Sequence, residues 1–374
     1  MRGAYDETPS GRTTFAARPT PHLEAVAPRR QAPARPRRRL DLPTFVSLLY
    51  VSFLFAWQAL RFTPVGIWPP FEVVDIFGLA LFVPLPALLL VSLLAASRRA
   101  GLVLLLPLLL LAATYGPLFL PRTVPPIFRA SSPPNGSTLR VMTANLLVVN
   151  DDRAAVLGTI LAEQPDIVGL QEVSGAMAEY LADALRDRYP YQTIAPSEAP
   201  DGLGILSRYP IYQEPETGWY SHVCGCQRVR ITRDGQTLSF FNVHPPPPAV
   251  TYARLGRVPV PTSFSTSLSQ EVLHAALVDL DEWPRPIVVL GDFNLSDRQP
   301  LYRELRRSLE DAHAEAGWGL VYSFPSLSFE GVPDVSLVRI DYVMYDRSLV
   351  ARSVRTGRMP GSDHRYVVVD LAPR

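Results

Sequence analysis

Residues 287–294 read IVVLGDFN: an apolar run that stops on Gly291, Asp292 and Asn294. Its β-branched content and brevity predict a buried strand over 287–291. The carboxylate and amide that follow at once predict a polar rim at the end of that strand. Four other segments are built in a similar way. TANL carries Asn145, LQEV carries Glu172, NVHP carries His244, and GSDH carries Asp363 and His364. A sheet that delivers two or three carboxylates, two amides and two imidazoles to one rim suits a particular chemistry. Such a rim can hold a hard divalent cation, aim a water and hold a phosphate ester.

Composition sets outer bounds. The chain has 374 residues and a formal net charge of +1, from 36 basic and 35 acidic side chains. That balance gives no reason to expect a polyanion partner for the molecule as a whole. The sequence contains no lysine, so every basic residue is arginine, which reads as coding bias alongside abundant Ala and Pro. The two cysteines, Cys224 and Cys226, form Cys-Gly-Cys and cannot supply a structural zinc site. A disulfide between them needs an oxidising compartment and a strained geometry, so both the bonded and the free state stay open.

The chain divides by composition. Residues 1–40 are rich in Pro, Ala, Thr and Arg and too poor in large apolar residues to order themselves, which predicts a disordered basic tail. Residues 41–121 hold three nearly charge-free runs, at about 42–60, 76–96 and 102–120, each long enough to cross a bilayer as a helix. Trp57, Trp68 and Tyr115 lie near the expected ends, where aromatic belts form. The arginine-rich tail and Arg98-Arg99 predict a cytoplasmic amino terminus. The large domain would then be periplasmic or extracellular in a multi-pass protein of the cell membrane. A Pro/Ser-rich linker over 122–137 leads to one α/β domain over 138–374.

Within that domain, strands are predicted at 139–146, 166–172, 203–207, 287–291, 340–345 and 365–371. A hairpin is predicted over 227–233 and 237–244, turning at Asp234-Gly235. Helices are predicted at 152–163, 175–188, 267–282 and 299–308. Hairpins mixed with helices exclude a purely parallel sheet and favour two mixed sheets packed face to face with helices outside.

Residues 139–371 resemble the endonuclease/exonuclease/phosphatase superfamily, with its deoxyribonuclease I-like fold, as a membrane-anchored bacterial member. The resemblance rests on Asn145 in VMTANL, Gln171-Glu172 in PDIVGLQEV, GLGILSRYPI at 202–211, and His244 in FFNVH. Asp292 and Asn294 in VVLGDFN, Asp341 in RIDYV, and Asp363-His364 in GSDHRYVVVDL complete it. It implies a four-layered α/β/β/α sandwich and divalent-metal-dependent hydrolysis of a phosphate ester. It also implies roles. Glu172 is the main Mg²⁺ or Mn²⁺ ligand, with Asn145 beside it and Asp363 near the metal or water. Asp292 activates the water and Asn294 helps hold it. His364, oriented by Asp341, contacts the phosphate, and His244 binds phosphate or protonates the leaving oxygen. Pro245 directly after His244 departs from the family's usual pattern.

Singly, most of these residues have a simpler reading: Asn145 as a turn cap, Asp292 and Asn294 as turn residues, Asp363-His364 as a surface loop. The alternative for the whole domain is a catalytically inactive binding or sensing module on the same fold. Expected partners are the bilayer and a phosphate-ester substrate, whether nucleic acid, a lipid headgroup or a small phosphoester; no protein partner is expected. For nucleic acid, Arg228, Arg230, Arg254 and Arg257 are the candidate contacts. For a lipid, Phe264 beside Val258-Pro259-Val260 is the candidate loop to enter the leaflet.

Overall fold

A computed structural model describes residues 40–120, 138–212, 220–221, 225–255, 258–278, 280–329 and 332–374. The expected tail lies outside these residues apart from Leu40, and the expected linker lies wholly outside them.

The amino-terminal region begins with α1 (Leu42–Leu60), capped by Asp41, whose side chain accepts from the Thr44 amide at 2.8 Å. Next come α2 (Pro69–Ile76) and α3 (Pro84–Leu94). The single helix expected at 76–96 is instead a broken one. Helical structure starts earlier, at Pro69, and the stretches Pro69–Ile76 and Gly78–Leu94 meet at a bend of 71°. The break falls at Phe77, and Pro84 opens α3 in its first turn, where a missing N–H is tolerated. The third run forms α4 (Arg98–Val103) and α5 (Leu105–Tyr115), part of a stretch Arg98–Phe119 long and apolar enough to span a bilayer, as is α1. Trp57 and Tyr115 do not face outward as belt residues would. Both are buried with Leu54, Phe82, Leu85 and Leu104 in a bundle core, and the Arg298 guanidinium lies over their rings at 5.1 and 5.7 Å. Trp68 alone of the three is exposed.

The remainder is the expected four-layered sandwich. Its first strands and helices in chain order are β1 (Leu139–Asn145), α6 (Arg153–Glu163), β2 (Ile167–Gln171), α7 (Gly175–Ala184), β3 (Tyr191–Ala195) and β4 (Leu203–Ser207). The short β5 (Ile211–Tyr212) and β6 (Tyr220–Ser221) precede the hairpin β7 (Cys226–Arg233) and β8 (Gln236–Val243). A second hairpin, β9 (Ala249–Leu255) and β10 (Val258–Ser265), leads to α8 (Ser267–Leu277), β11 (Ile287–Asp292) and α9 (Pro300–Ser308). Then follow β12 (Glu310–Asp311), α10 (Ala312–Ala316), β13 (Leu327–Phe329), β14 (Val332–Val335), β15 (Asp341–Tyr345), β16 (Leu349–Arg358) and β17 (Arg365–Pro373).

One sheet runs β16-β17-β1-β2-β4-β3 and the other β12-β15-β11-β8-β7-β5. Side chains alternate across each strand, and the burial follows. Val141, Ile167, Phe240, Val288 and Leu290 meet between the sheets. Their neighbours Met142, Val168 and Leu170 pack under α6 and α7, while Phe241 and Val289 pack under α8 and α9. Polar side chains cross the apolar middle layer. Gln171 Nε2 donates to Asn242 Oδ1 at 2.6 Å, and Asn242 Nδ2 donates to Leu170 O and Gln227 Oε1 at 3.0 and 3.2 Å. A buried amide that met apolar side chains instead would lose its hydrogen bonds, so this network fixes how the sheets slide against each other.

Each sheet contains one parallel pair among its named strands, β1 with β2 and β8 with β11; the other pairings are antiparallel. The carboxyl ends of both parallel pairs open toward the same cleft.

His313 on α10 is buried. Its Nε2 lies 3.0 Å from Gly319 O, so the neutral tautomer donates there, and Nδ1 has no hydrogen-bond partner among the described residues. Burial, followed by the nearby Arg339 cation, pushes its pKa down to about 4. The unfolded chain therefore takes up a proton that the fold refuses, and stability is complete above about pH 6.5 and lost as pH falls toward about 4. The expected loss over that window is about 3 kcal/mol. Thermal unfolding of His313→Gln beside the parent should show a flatter dependence on pH; parallel curves would refute the assignment.

Candidate active site

Asn145 ends β1, Glu172 follows β2, His244 follows β8 and Asp292 ends β11. The register sets Asn145 beside Gln171, Gly291 beside Val243, and Asp292 opposite Asp341 of β15. The strand order thus brings together residues that are far apart in sequence. Asn145 Nδ2 donates to Glu172 Oε1 at 2.9 Å and to Asp292 Oδ2 at 3.1 Å. His244 Nε2 lies 3.7 Å from Glu172 Oε1 and 3.5 Å from Asp292 Oδ2. From the opposite side, His364 Nε2 lies 3.7 Å from Asp292 Oδ2, while its Nδ1 is 3.0 Å from Asp341 Oδ2. Asn294 donates its backbone N–H to Asp292 Oδ1 at 2.9 Å and its side-chain amide to Pro245 O at 2.9 Å.

The backbone here is unusual. Leu147, Glu172 and Asn294 have φ of 65°, 56° and 46°, left-handed values that non-glycine residues rarely adopt. Such conformations cost free energy, and they cluster where a side chain must be aimed. Gly291 has φ 142°, and a Cβ there would lie 2.0 Å from Val243 O. Only glycine lets β11 approach β8 closely enough to set Asp292 beside His244.

Charge follows from the packing. Burial disfavours ionised Asp292, but His364 and His244 overcome it and lower its pKa. Burial also opposes a charged His364, yet Asp341 and Asp292 push its pKa up to about 10. Burial pushes Asp341 up. The proton the pair shares sits on His364 at neutral pH. His244 is likewise raised, by Asp292 and Glu172 against burial.

Each sequence-predicted residue except Asp363 and Asn294 points into this cluster. Asp363 is half-buried, its Oδ1 has no hydrogen-bond partner among the described residues, and its carbonyl accepts from Ser326 N at 2.6 Å. Asn145 is turned differently from the ligand role expected for it. Its Oδ1 accepts from Leu147 N at 3.0 Å, so its nitrogen, not its oxygen, faces the carboxylates. Asp292, Asp341 and His364 are close enough to share a cation. Within that group Asp341 Oδ2 also holds His364 Nδ1 at 3.0 Å. Glu172 and Asp292 both accept from the Asn145 amide nitrogen. Carboxylate oxygens are the donors a hard divalent cation takes, so the residues of this rim fit one.

Three supporting residues had no role in the sequence reading, although Ser362 stands in the Ser362-Asp363-His364 motif. Ser362 Oγ donates to Asn145 O at 2.8 Å and accepts from His364 N at 3.0 Å. Ser323 Oγ accepts from Ile340 N and Asp341 N at 3.1 and 3.2 Å. Phe324 lies against the His364 ring at 4.7 Å. Only Ser362, inside GSDH, carried a signal; Ser323 and Phe324 sit in a stretch with no motif. Arg228 donates to Ala276 O at 3.0 Å and lies over Phe241, and Arg257 falls outside the described residues. Cys226 is disulfide-bonded; Cys224 lies outside the described residues.

A family model described as the Endonuclease/Exonuclease/phosphatase family matches residues 142–364. No curated protein matches the chain. Among solved structures, an endonuclease/exonuclease/phosphatase from Bacteroides vulgatus is 18% identical, covering 64% of this chain and 100% of that one, with a TM-score of 0.48. D. rerio TDP2 complexed with single-strand DNA product is 17% identical, covering 63% and 99%, with a TM-score of 0.47. Sphingomyelinase C from Streptomyces griseocarneus is 19% identical, covering 62% and 99%, with a TM-score of 0.43. With the family model spanning more than half of its residues, this chain belongs to the endonuclease/exonuclease/phosphatase family.

Proposed function

We propose that the protein is a membrane-tethered, divalent-metal-dependent hydrolase of phosphate esters whose domain at 138–374 works outside the cytoplasm. The family consists of phosphoester hydrolases. One observation carries the finer reading: two carboxylates, an amide and two imidazoles from five separate segments are linked by successive contacts of 2.9 to 3.7 Å. Glu172 would hold Mg²⁺ or Mn²⁺, with Asp292 at its edge and Asp363 near its water. The ion, when bound, would neutralise charge on the phosphoryl oxygens.

The side chains supply the rest. Asp292, ionised and ringed by donors, orients the attacking water and accepts its proton. Asn294, held by Pro245 O, fixes the loop that aims Asp292. His364, cationic through Asp341, binds a phosphoryl oxygen. His244 faces the same carboxylates from the other sheet and is placed to protonate the leaving oxygen.

The tether reading has its own support. Leu42, Leu93 and Leu94 on the amino-terminal helices are largely exposed, as lipid-facing residues are. Ser97, at the start of α4, donates to Asp41, at the start of α1, at 3.0 Å, so Arg98-Arg99 lie at the tail's end of the bundle. The hydrolase domain sits at the opposite end: Arg61 Nη2 donates to Arg298 O at 3.1 Å, and Gly319 N donates to Leu118 O at 2.7 Å. A cytoplasmic tail then gives an external active site. Phe264 belongs to a paired strand and is half-buried, so it is not an exposed loop residue free to enter the leaflet.

The test is turnover of DNA, RNA, phospholipid vesicles and small phosphomonoesters by the full chain in detergent or liposomes. EDTA should abolish it and Mg²⁺ restore it. Glu172→Gln should raise the Mg²⁺ concentration for half-maximal rate about tenfold or more. Turnover indifferent to EDTA would overturn the metal assignment, and none on any substrate would favour a binding module.

A further inference from the structure

α2 is short and follows an apolar span, yet it carries Glu72 and Asp75, and both are buried. Three residues apart, they lie on one helical face. Buried carboxylates are costly unless fully partnered, and here every partner but Arg61 comes from the hydrolase domain. Glu72 Oε1 accepts from Gln299 Nε2 at 2.6 Å, Thr266 Oγ1 at 2.7 Å and Gln270 Nε2 at 3.1 Å. Asp75 pairs with Arg298 at 3.2 Å and with Arg61 at 3.5 Å.

Arg298 and Gln299 close the loop that starts at Asp292. Gln299 caps its far end: Oε1 accepts from Ser296 N at 2.6 Å. Between the two lie Asn294 and Leu295, whose carbonyl accepts from Tyr342 at 2.9 Å. A primary amide can be turned either way. A carboxylate only accepts, so Glu72 forces the Gln299 nitrogen toward itself and leaves the Gln299 oxygen for Ser296. The orientation of one amide in the hydrolase domain is thus dictated by an acid in the membrane-anchoring region.

We infer that α2 is a positioning element for the catalytic loop, with Glu72 acting through Gln299 to hold residues 292–299. The inference rests on the proposed role of Asp292 for its kinetic consequence but not for its structural one. It follows that the amino-terminal helices do more than tether: the loop carrying Asp292 and Asn294 is built against them.

The test uses the full chain in detergent. Gln299→Glu sets two carboxylates against each other where one hydrogen bond stood. Adding Glu72→Gln reverses the polarity of that bond and restores it, since the new amide donates and the new carboxylate still accepts from Ser296, while Thr266 and Gln270 turn to the remaining amide oxygen. Gln299→Glu should lower kcat about tenfold or more with KM within about twofold. Amide exchange across residues 293–299 should accelerate in that variant alone. The double variant should recover both. Loop exchange and kcat equal to the parent in Gln299→Glu, or a double variant no better than the single, would overturn the inference. If the parent itself shows no turnover, the hydrolase reading fails while the exchange comparison still decides this one.

Discussion

Asp292→Asn should cut kcat about a thousandfold while leaving the chain folded. The substitution keeps the shape and still offers an oxygen to the Asn294 N–H, 2.9 Å away. What it removes is the charge at the centre of the cleft. Asp292 Oδ2 is reached from both sheets: by Asn145 at 3.1 Å, His244 at 3.5 Å and His364 at 3.7 Å. Without that charge the attacking water loses its proton acceptor, and both imidazoles lose a group that raises their pKa. Because His364 and His244 outweigh burial and favour the ionised Asp292, the neutral replacement also loses a stabilising charge, so the melting temperature should fall while the chain stays folded. Steady-state kinetics beside a thermal melt check both halves. A variant that keeps a tenth or more of the parental kcat, by order of magnitude, would remove Asp292 from the chemistry.

The second large effect is expected at Asp341. Its Oδ2 lies 3.0 Å from His364 Nδ1, and together with Asp292 it pushes the His364 pKa up to about 10. The parent therefore keeps an imidazolium in the cleft throughout the neutral range and loses it only as pH rises through about 10. Asp341→Asn retains an acceptor for Nδ1 but not the charge. Burial, already the largest influence on His364, then pulls its pKa down. The expected loss in kcat/KM is about a hundredfold near pH 8 and shrinks as the pH is lowered, because protonation recovers the cation. A pH–rate profile with the same shape as the parent's would show that His364 acts as a neutral ring.

Much of this site was legible because its residues sit where strands end. IVVLGDFN declares both its strand and its rim, and the Asp234-Gly235 turn declares the hairpin β7–β8. The fold class followed from the same pattern. The illegible parts share a physical cause: nothing local marks them. Pro259 and Pro261 disguise β10, a strand that among the described residues pairs with β9 alone and so tolerates missing donors. Glu72 and Asp75 look like ordinary loop charges, and only the tertiary packing reveals that they are buried. Trp57 and Tyr115 look like belt residues until Arg298, more than a hundred residues away, comes to lie over them. Spacing names the residue types at the Asn145 position but not the turn of its amide, which the Leu147 N–H decides.

The division of the cleft between the two sheets has a consequence for assembly. One sheet brings Asn145, Glu172 and His364; the other brings His244, Asp292 and Asp341. Neither half alone gathers the charges that make a cation welcome. A chain whose halves had each formed but not yet met would own all the right side chains and no affinity. At the proposed metal site, ion capture would be linked to the docking of the two sheets, and any free energy of binding would be delivered to that event as stability.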